Sequence, residues 1–262
     1  MSPYALLSPL VSTGYRALAG MAGLLPGPTG GAALAAAIVM LTVALRASLL
    51  PAAIAALRAQ RARTALAPQV DRLRRRYAGD RVTLADEISA AYRQAGISPF
   101  AGLRPALLQL VVLSAMYRII VVPTVAGHPN AIVDASVLGA PLAGHWPAIL
   151  GAAGIISAPA ALFGVLLLAL LVLAWLSSRL AVRQAEQDSQ ANQANQPKRG
   201  GQAKEGSRAA AQPSPAMMLR LARLLPYATV GFAAIAPVAV GCYLLTTTAW
   251  TLAERTVLPH LI

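Results

Sequence analysis

One arginine stands where an arginine is costly. Arg46 lies in the run GGAALAAAIVMLTVALRASLL, about four residues before the end of an apolar stretch over 31–50. A cation inside a membrane span costs about 2.5–3.5 kcal/mol on insertion scales, and it ordinarily faces water or a partner. Two readings fit its position. Either the long stem snorkels to the nearby interface, or the guanidinium faces a polar cavity. No acid in another candidate span can pair with it. Asp134 belongs to the far side, and Glu254 lies at the end of the last span.

Other polar residues could line such a cavity. Thr42 is one turn before Arg46; Gln109, Ser114 and Tyr117 share a second apolar run; Thr246, Thr247 and Thr248 share the last. For each hydroxyl the plainer reading is a bond to its own helix or to a neighbouring one. Arg118 interrupts the second run and faces either the bundle or the outer half of the bilayer.

Catalytic patterns are missing. His128, His145 and His260 fall outside the spans or at their ends, without His-x-x-x-His or Glu-x-x-His spacing. There is no Gly-rich phosphate loop and no G-x-S-x-G. An intramembrane protease needs a nucleophile with its base, or paired acids, within spans. A prenyl transferase needs acidic clusters for magnesium. The expectation is a protein that is not an enzyme and uses no cofactor or metal. Cys242 is the single cysteine, so no disulfide forms within the chain.

These residues need helices in lipid to hold them. Of 262 residues, 57% are apolar and 12% charged, against about 25% charged in soluble domains. Mean hydropathy is +0.60. The apolar content is mostly Ala, Leu and Val, and the short alternating segments of a β-barrel do not occur. The net charge of +13 would suggest nucleic acid in a soluble protein. In a membrane protein, basic residues gather in cytoplasmic loops. That reading leaves room for contact with anionic lipid or ribosomal RNA but implies no specific nucleic-acid sequence. Arginine outnumbers lysine 20 to 2, which with the high alanine content points to a GC-rich bacterial genome.

The expected architecture is an all-α polytopic membrane protein with a five-helix core. Residues 1–30 have no basic n-region, which does not fit a cleavable signal peptide. Tyr4, Leu7, Val11, Tyr15 and Leu18 recur at helical spacing, giving an amphipathic helix at the outer interface; a true span is the alternative. Spans are expected at 31–50, 105–126, 155–176, 219–236 and 238–255, each near the ~20 residues a bilayer requires. Trp146 and Trp175 suit interface anchors. Pro237 marks a tight turn between the last two spans, and 256–262 form a tail.

Residues 51–104 form a basic helical hairpin outside the membrane, with ten arginines against four acids. Its first helix carries Leu57, Leu66, Val70, Leu73 and Tyr77, with an adjustment near Pro68, and Gly79-Asp80-Arg81 reads as a turn. Thr83 is the expected cap of the second helix, with Asp86 at its third position. Leu84, Ile88, Ala91 and Tyr92 give that helix an apolar stripe, and Gly96 ends it. The segment 127–154 lies outside the cell. Residues 177–218, polar and rich in Gln, Asn, Gly and Pro, read as a disordered linker. Ten basic residues follow the first span and eight follow the third, while none lies between the second and third. The positive-inside rule then puts the N-terminus outside and the C-terminus in the cytoplasm of a multi-pass bacterial inner-membrane protein.

The stretch 42–119 resembles the YidC/Oxa/Alb membrane protein insertases. LRASLLP carries Arg46 ahead of Pro51; the hairpin has Pro68 midway and Asp80 in its turn; and AAYRQAGISPFAGLRPALLQLVVLSAMYR places Tyr92, Pro99, Gly102, Pro105, Gln109, Tyr117 and Arg118 in matching positions. Met217-Met218 before Pro226, and PVAVGCYLLTTT with Pro237 and Tyr243, resemble the last two spans of that family. Ser98, Leu103-Arg104, Leu244 and Thr248 depart from its pattern and suggest a diverged, accessory paralogue.

The resemblance implies a membrane insertase and chaperone acting on nascent membrane proteins, Sec-independently or with the Sec translocon. Its groove would open to cytoplasm and lipid and be closed on the outer side. The residues implied for it are Arg46, Thr42, Gln109, Ser114, Tyr117, Tyr243, Thr246 and Thr248. The hairpin, through Arg72, Arg74, Arg75, Arg76, Asp80 and Arg81, would recruit substrate, Sec or ribosome. Two other functions compete. A non-catalytic assembly factor would keep the hairpin and a vestigial groove. A small transporter or channel would need paired ionisable groups or repeated halves, and no internal repeat is seen.

Overall fold

The computed structural model describes residues 8–25, 30–96, 104–125, 128–194 and 215–261. Its elements are helices α1 Ser8–Gly23, α2 Gly31–Ser48, α3 Leu50–Arg76, α4 Arg81–Gln94 and α5 Arg104–Val121, followed by the two-residue strands β1 Thr124–Val125 and β2 His128–Pro129. Then come α6 Ala131–Asp134, strands β3 Ser136–Val137 and β4 Ala140–Pro141, α7 Trp146–Ala153, α8 Ala158–Ala194, α9 Pro215–Ile235 and α10 Val238–Leu261. Each pair of strands is antiparallel, with Thr124 opposite Pro129 and Ser136 opposite Pro141. The chain divides into two compact units, one of residues 1–52, 106–175 and 227–262, the other of 53–105 and 176–226.

Among the described residues, Gly31–Ser48 and the first thirty residues of α8, Ala158–Gln187, are long and apolar enough to cross a membrane. Gln109–Val121 and Arg223–Ile235 are shorter apolar helices.

In the first unit, α2 packs against α1 and α10. Its buried residues are Gly31, Ala33, Ala37, Ile38 and Thr42. Small side chains let a partner helix approach closely without relying on a hydrophobic driving force. On α10, Val238, Ala239, Val240 and Tyr243 are all buried. Gly241 continues this logic, because a Cβ there would sit 2.7 Å from Leu166 Cδ2 of α8. Trp146 stacks on Phe163 with ring centroids 4.8 Å apart, fastening α7 to α8.

One end of this unit is capped by the segment 128–145. Gly31, at the start of α2, lies against the backbone of Ser136 in β3, where any Cβ would strike the carbonyl. The first amides of α10 donate to the same segment, Val238 N to Gly144 O at 3.1 Å and Ala239 N to Leu142 O at 2.9 Å. His145 Nδ1 lies 2.9 Å from the carbonyl of Ile235 at the end of α9; since a carbonyl only accepts, Nδ1 carries the proton. Asn130 serves the end of α5, donating to Ile119 O at 2.6 Å and Val122 O at 2.8 Å, while its Oδ1 caps α6 through the Ile132 amide. Helix ends leave such groups orphaned unless something meets them.

In the second unit, α3 runs unbroken through Pro68. The cap of α4 is Asp80, not Thr83 as the sequence suggested. Its carboxylate accepts from the Val82 and Thr83 amides, and the Thr83 hydroxyl closes the ring with a 2.5 Å bond to Oδ2. Aspartate is an equally good cap, and its position in the turn puts the helix start three residues earlier. The same bonds, that of the Thr83 hydroxyl foremost, hold the Asp80 carboxyl below the usual carboxylate range.

Two other expectations need correcting. Residues 177–194, taken as the start of a disordered linker, are helical within α8; their Ala, Leu, Arg, Gln and Glu content favours helix, and no Gly or Pro interrupts it. Residues 215–218, at the far end of that linker, open α9. The tail 256–261 likewise continues α10. The rest of the linker, 195–214, lies outside the described residues, as do Ser98, Pro99 and Leu103.

Two outcomes follow from these contacts. Gly31→Ala should destabilise the protein by about 1–3 kcal/mol or more, because its neighbour is backbone, whereas Gly241→Ala should cost less, since Leu166 can change rotamer; thermal unfolding in detergent compares them. Asp80→Ala should speed hydrogen exchange at the Val82 and Thr83 amides several-fold. Because the folded carboxyl titrates low, the wild-type cap is intact above the ordinary carboxylate pKa of about 3.9. It is lost as pH falls through the lowered folded value.

Candidate functional site

The first unit brings three of the sequence-selected residues into one chain of hydrogen bonds. Arg46 Nη2 donates to Gln109 Oε1 at 2.5 Å, and Gln109 Nε2 donates to Tyr243 Oη at 3.1 Å. The three residues come from α2, α5 and α10, 63 and 134 positions apart in sequence.

The direction of each bond follows from chemistry. A guanidinium has five donors and no acceptor, so the amide oxygen of Gln109 must face it. The amide nitrogen is thereby turned to Tyr243, whose phenol oxygen accepts. Tyr243 is 1% exposed and held by the core of α10, so the buried ring fixes the amide, and the amide fixes the arginine. Helical side chains lean toward the N-terminus of their own helix. This carries Arg46 back along α2 toward the bundle instead of past Ser48.

Among the described residues no carboxylate lies within ion-pair distance of Arg46, so no acid neutralises the guanidinium. Glu254 is engaged by Trp250 Nε1 one turn earlier on α10, at 2.5 Å. Arg46 itself is half-buried. Gln109 satisfies one of its five donors with a charge-assisted bond worth about 1.5–3 kcal/mol, leaving a full positive charge available to a further acceptor.

The other candidates do not join this chain. Thr42 is buried, and its hydroxyl donates to Ile38 O at 2.6 Å. Thr246 donates to Cys242 O and Thr248 to Leu244 O, at 2.9 and 2.7 Å. All three hydroxyls return to their own helices. Ser114 is half-buried and Tyr117 exposed. Arg118 is half-buried, nine residues or about 13 Å along α5 from Gln109. Leu107, Leu110 and Val111 of α5 are exposed, on faces of the helix other than that of Gln109, while Val39, Met40 and Val43 give α2 an apolar exposed face.

In the second unit Arg72, Arg74, Arg75, Arg76 and Arg81 are all exposed, and Asp80 is spent on the cap. Arg74 lies 3.8 Å from Asp71, a surface pair of small energy. Arg76 lies over the Tyr77 ring at 5.6 Å. Among the described residues no group of three or more His, Cys, Asp or Glu could hold a metal ion.

Sequence reasoning passed over Asn130, Tyr15 and His145. The signal for Asn130 was available: an Asn after a proline and before a short apolar run is a helix-cap pattern.

A family model described as the 60Kd inner membrane protein matches residues 27–261. The membrane protein insertase YidC of Tropheryma whipplei (strain Twist) is 32% identical over 111 residues, 40% of this chain and 35% of that protein. Membrane protein insertase YidC 1 of Halalkalibacterium halodurans is 38% identical over 88 residues, 32% of this chain and 34% of the relative. ALBINO3-like protein 1 of Arabidopsis thaliana, a chloroplast protein, is 35% identical over 82 residues, covering 31% and 16%. The matched stretches thus span about a third or less of these relatives.

If the amide is held as described, Gln109→Ala and Tyr243→Phe should not be additive. A double-mutant cycle on thermal unfolding should show a coupling of about 0.5–3 kcal/mol.

Proposed function

Because the chain belongs to the 60Kd inner membrane protein family, we propose that it is a membrane protein insertase, in which the Arg46–Gln109–Tyr243 chain receives the polar end of a nascent span. The observation that carries this reading is a cation held by a neutral amide, with no acid among the described residues to neutralise it. A structural ion pair would have used the charge up. An amide aims it and leaves it unneutralised.

In this reading α2, α5, α8, α9 and α10 are the five spans. The capped end with segment 128–145 faces outside, so the C-terminus is cytoplasmic, and α1 lies at the outer interface. Arg46 then sits in the inner half of the bilayer. A guanidinium about 7 Å from a carboxylate attracts it by about 2 kcal/mol at an effective dielectric of 20, against about 0.6 in bulk water. That is enough to favour entry of an acidic tail and too little to trap it. The exposed apolar residues of α2 and α5 offer a surface for the hydrophobic part of the same segment. Substrate, and with it Sec or ribosome, is recruited by the exposed arginines of α3 and α4, which also suit anionic lipid headgroups. No nucleotide or metal takes part.

The purified protein in liposomes should insert a single-span substrate with an acidic translocated tail. Arg46→Ala should lower that insertion about 10–30-fold, the factor corresponding to about 1.4–2 kcal/mol, and change a neutral-tailed substrate by less than about twofold on the same scale. Equal loss for both tails would contradict the electrostatic role. No insertion by the wild type, together with failure to rescue an insertase-depleted strain despite stable expression, would favour the assembly-factor reading.

A further inference from the structure

Asn130 is 1% exposed, and each of its polar groups is satisfied. Its amide donates to Pro123 O at 2.9 Å, and its carbonyl accepts from Val133 N at 3.0 Å. Its Nδ2 donates twice to the end of α5, and its Oδ1 caps α6. Tyr15 of α1 fastens the residues on either side of it, donating to Pro129 O at 3.3 Å and accepting from Ala131 N at 3.1 Å.

We infer that Asn130 is the positioning residue that keeps the outer end of the bundle shut, by locking segment 128–145 to the end of α5 across the ends of α2, α9 and α10. The inference rests on the orientation given under Proposed function. Its chemistry is specific. Two carbonyls need a donor pair, and an amide nitrogen two residues on needs an acceptor. Only a carboxamide of this length supplies both. Aspartate would keep the acceptor for Ile132 and turn an anionic oxygen toward two carbonyls. Glutamine is one methylene too long for a site without free surface. The other ties reach other helices: the Leu142 and Gly144 carbonyls hold the first amides of α10, His145 meets the end of α9, and Tyr15 holds Pro129 and Ala131 to α1. Asn130 is therefore the place where one substitution should release the α5 edge while the rest stays fastened.

Cys242, the single cysteine, lies one turn into α10 from Val238 and is half-buried, which makes it a native reporter for the capped end. The test is labelling by a membrane-impermeant maleimide in sealed vesicles of known sidedness. In the wild type Cys242 should be slow from the outside. In Asn130→Asp it should label at least several-fold faster from the outside, and in Asn130→Ala faster still. A control places one cysteine at the other end of α2, Ser48→Cys with Cys242→Ser. It should label only from the inside, both with Asn130 intact and when Asn130→Asp is added. Unchanged Cys242 labelling in both Asn130 variants would overturn the inference. So would outside labelling of the Ser48→Cys protein only when Asn130 is replaced, since the residue would then hold the whole bundle together. Outside labelling of Ser48→Cys with Asn130 intact would overturn the orientation, and thereby the functional reading, whatever Cys242 does.

Discussion

A guanidinium on an apolar helix must find an acceptor, and the choice of acceptor decides what the helix can do. An acid would neutralise the charge and make Arg46 a structural tie. Gln109 satisfies one donor and removes none of the charge. Much of the first unit can be read from that bond. Gln109 must present its oxygen, so its nitrogen needs a fixed acceptor, which is Tyr243. Tyr243 must be immobile, so α10 has to be well packed where it meets α2. The small residues Ala33, Ala37 and Ala239 allow the close approach.

The capped end obeys a different constraint. Backbone groups at helix ends lack partners, and in a low-dielectric setting each orphan costs several kcal/mol. The segment 128–145 answers this for α5, α9 and α10 with its own carbonyls, one histidine and one asparagine. The unit is thus asymmetric along its axis, with fastened backbone at one end and, toward the other, a cation that no acid among the described residues neutralises.

Sequence periodicity and composition revealed the helices well, because long apolar runs and Ala-rich stretches leave few alternatives. They could also single out Arg46, since an unpaired charge in such a run is visible without coordinates. What they could not show was which polar residues meet. Gln109 and Tyr243 were two candidates among many, and the threonines looked equally suitable; only geometry shows that Thr42, Thr246 and Thr248 hydroxyls turn back to their own helices. The cap at Asn130 is legible as a pattern, but its bonds to the Ile119 and Val122 carbonyls of the preceding helix leave no periodic trace. Residues 177–194 are polar enough to resemble a linker, but their helix propensity keeps them in α8.

Site-specific photocrosslinking from position 109, with a stalled nascent membrane segment present, tests the account most directly. If the polar chain receives substrate, the probe should react with the nascent segment, most strongly when the residues entering the bundle are polar or acidic, and weakly when Arg46 is alanine. A probe that reacts with lipid alone, whatever the segment and whatever stands at position 46, would contradict it.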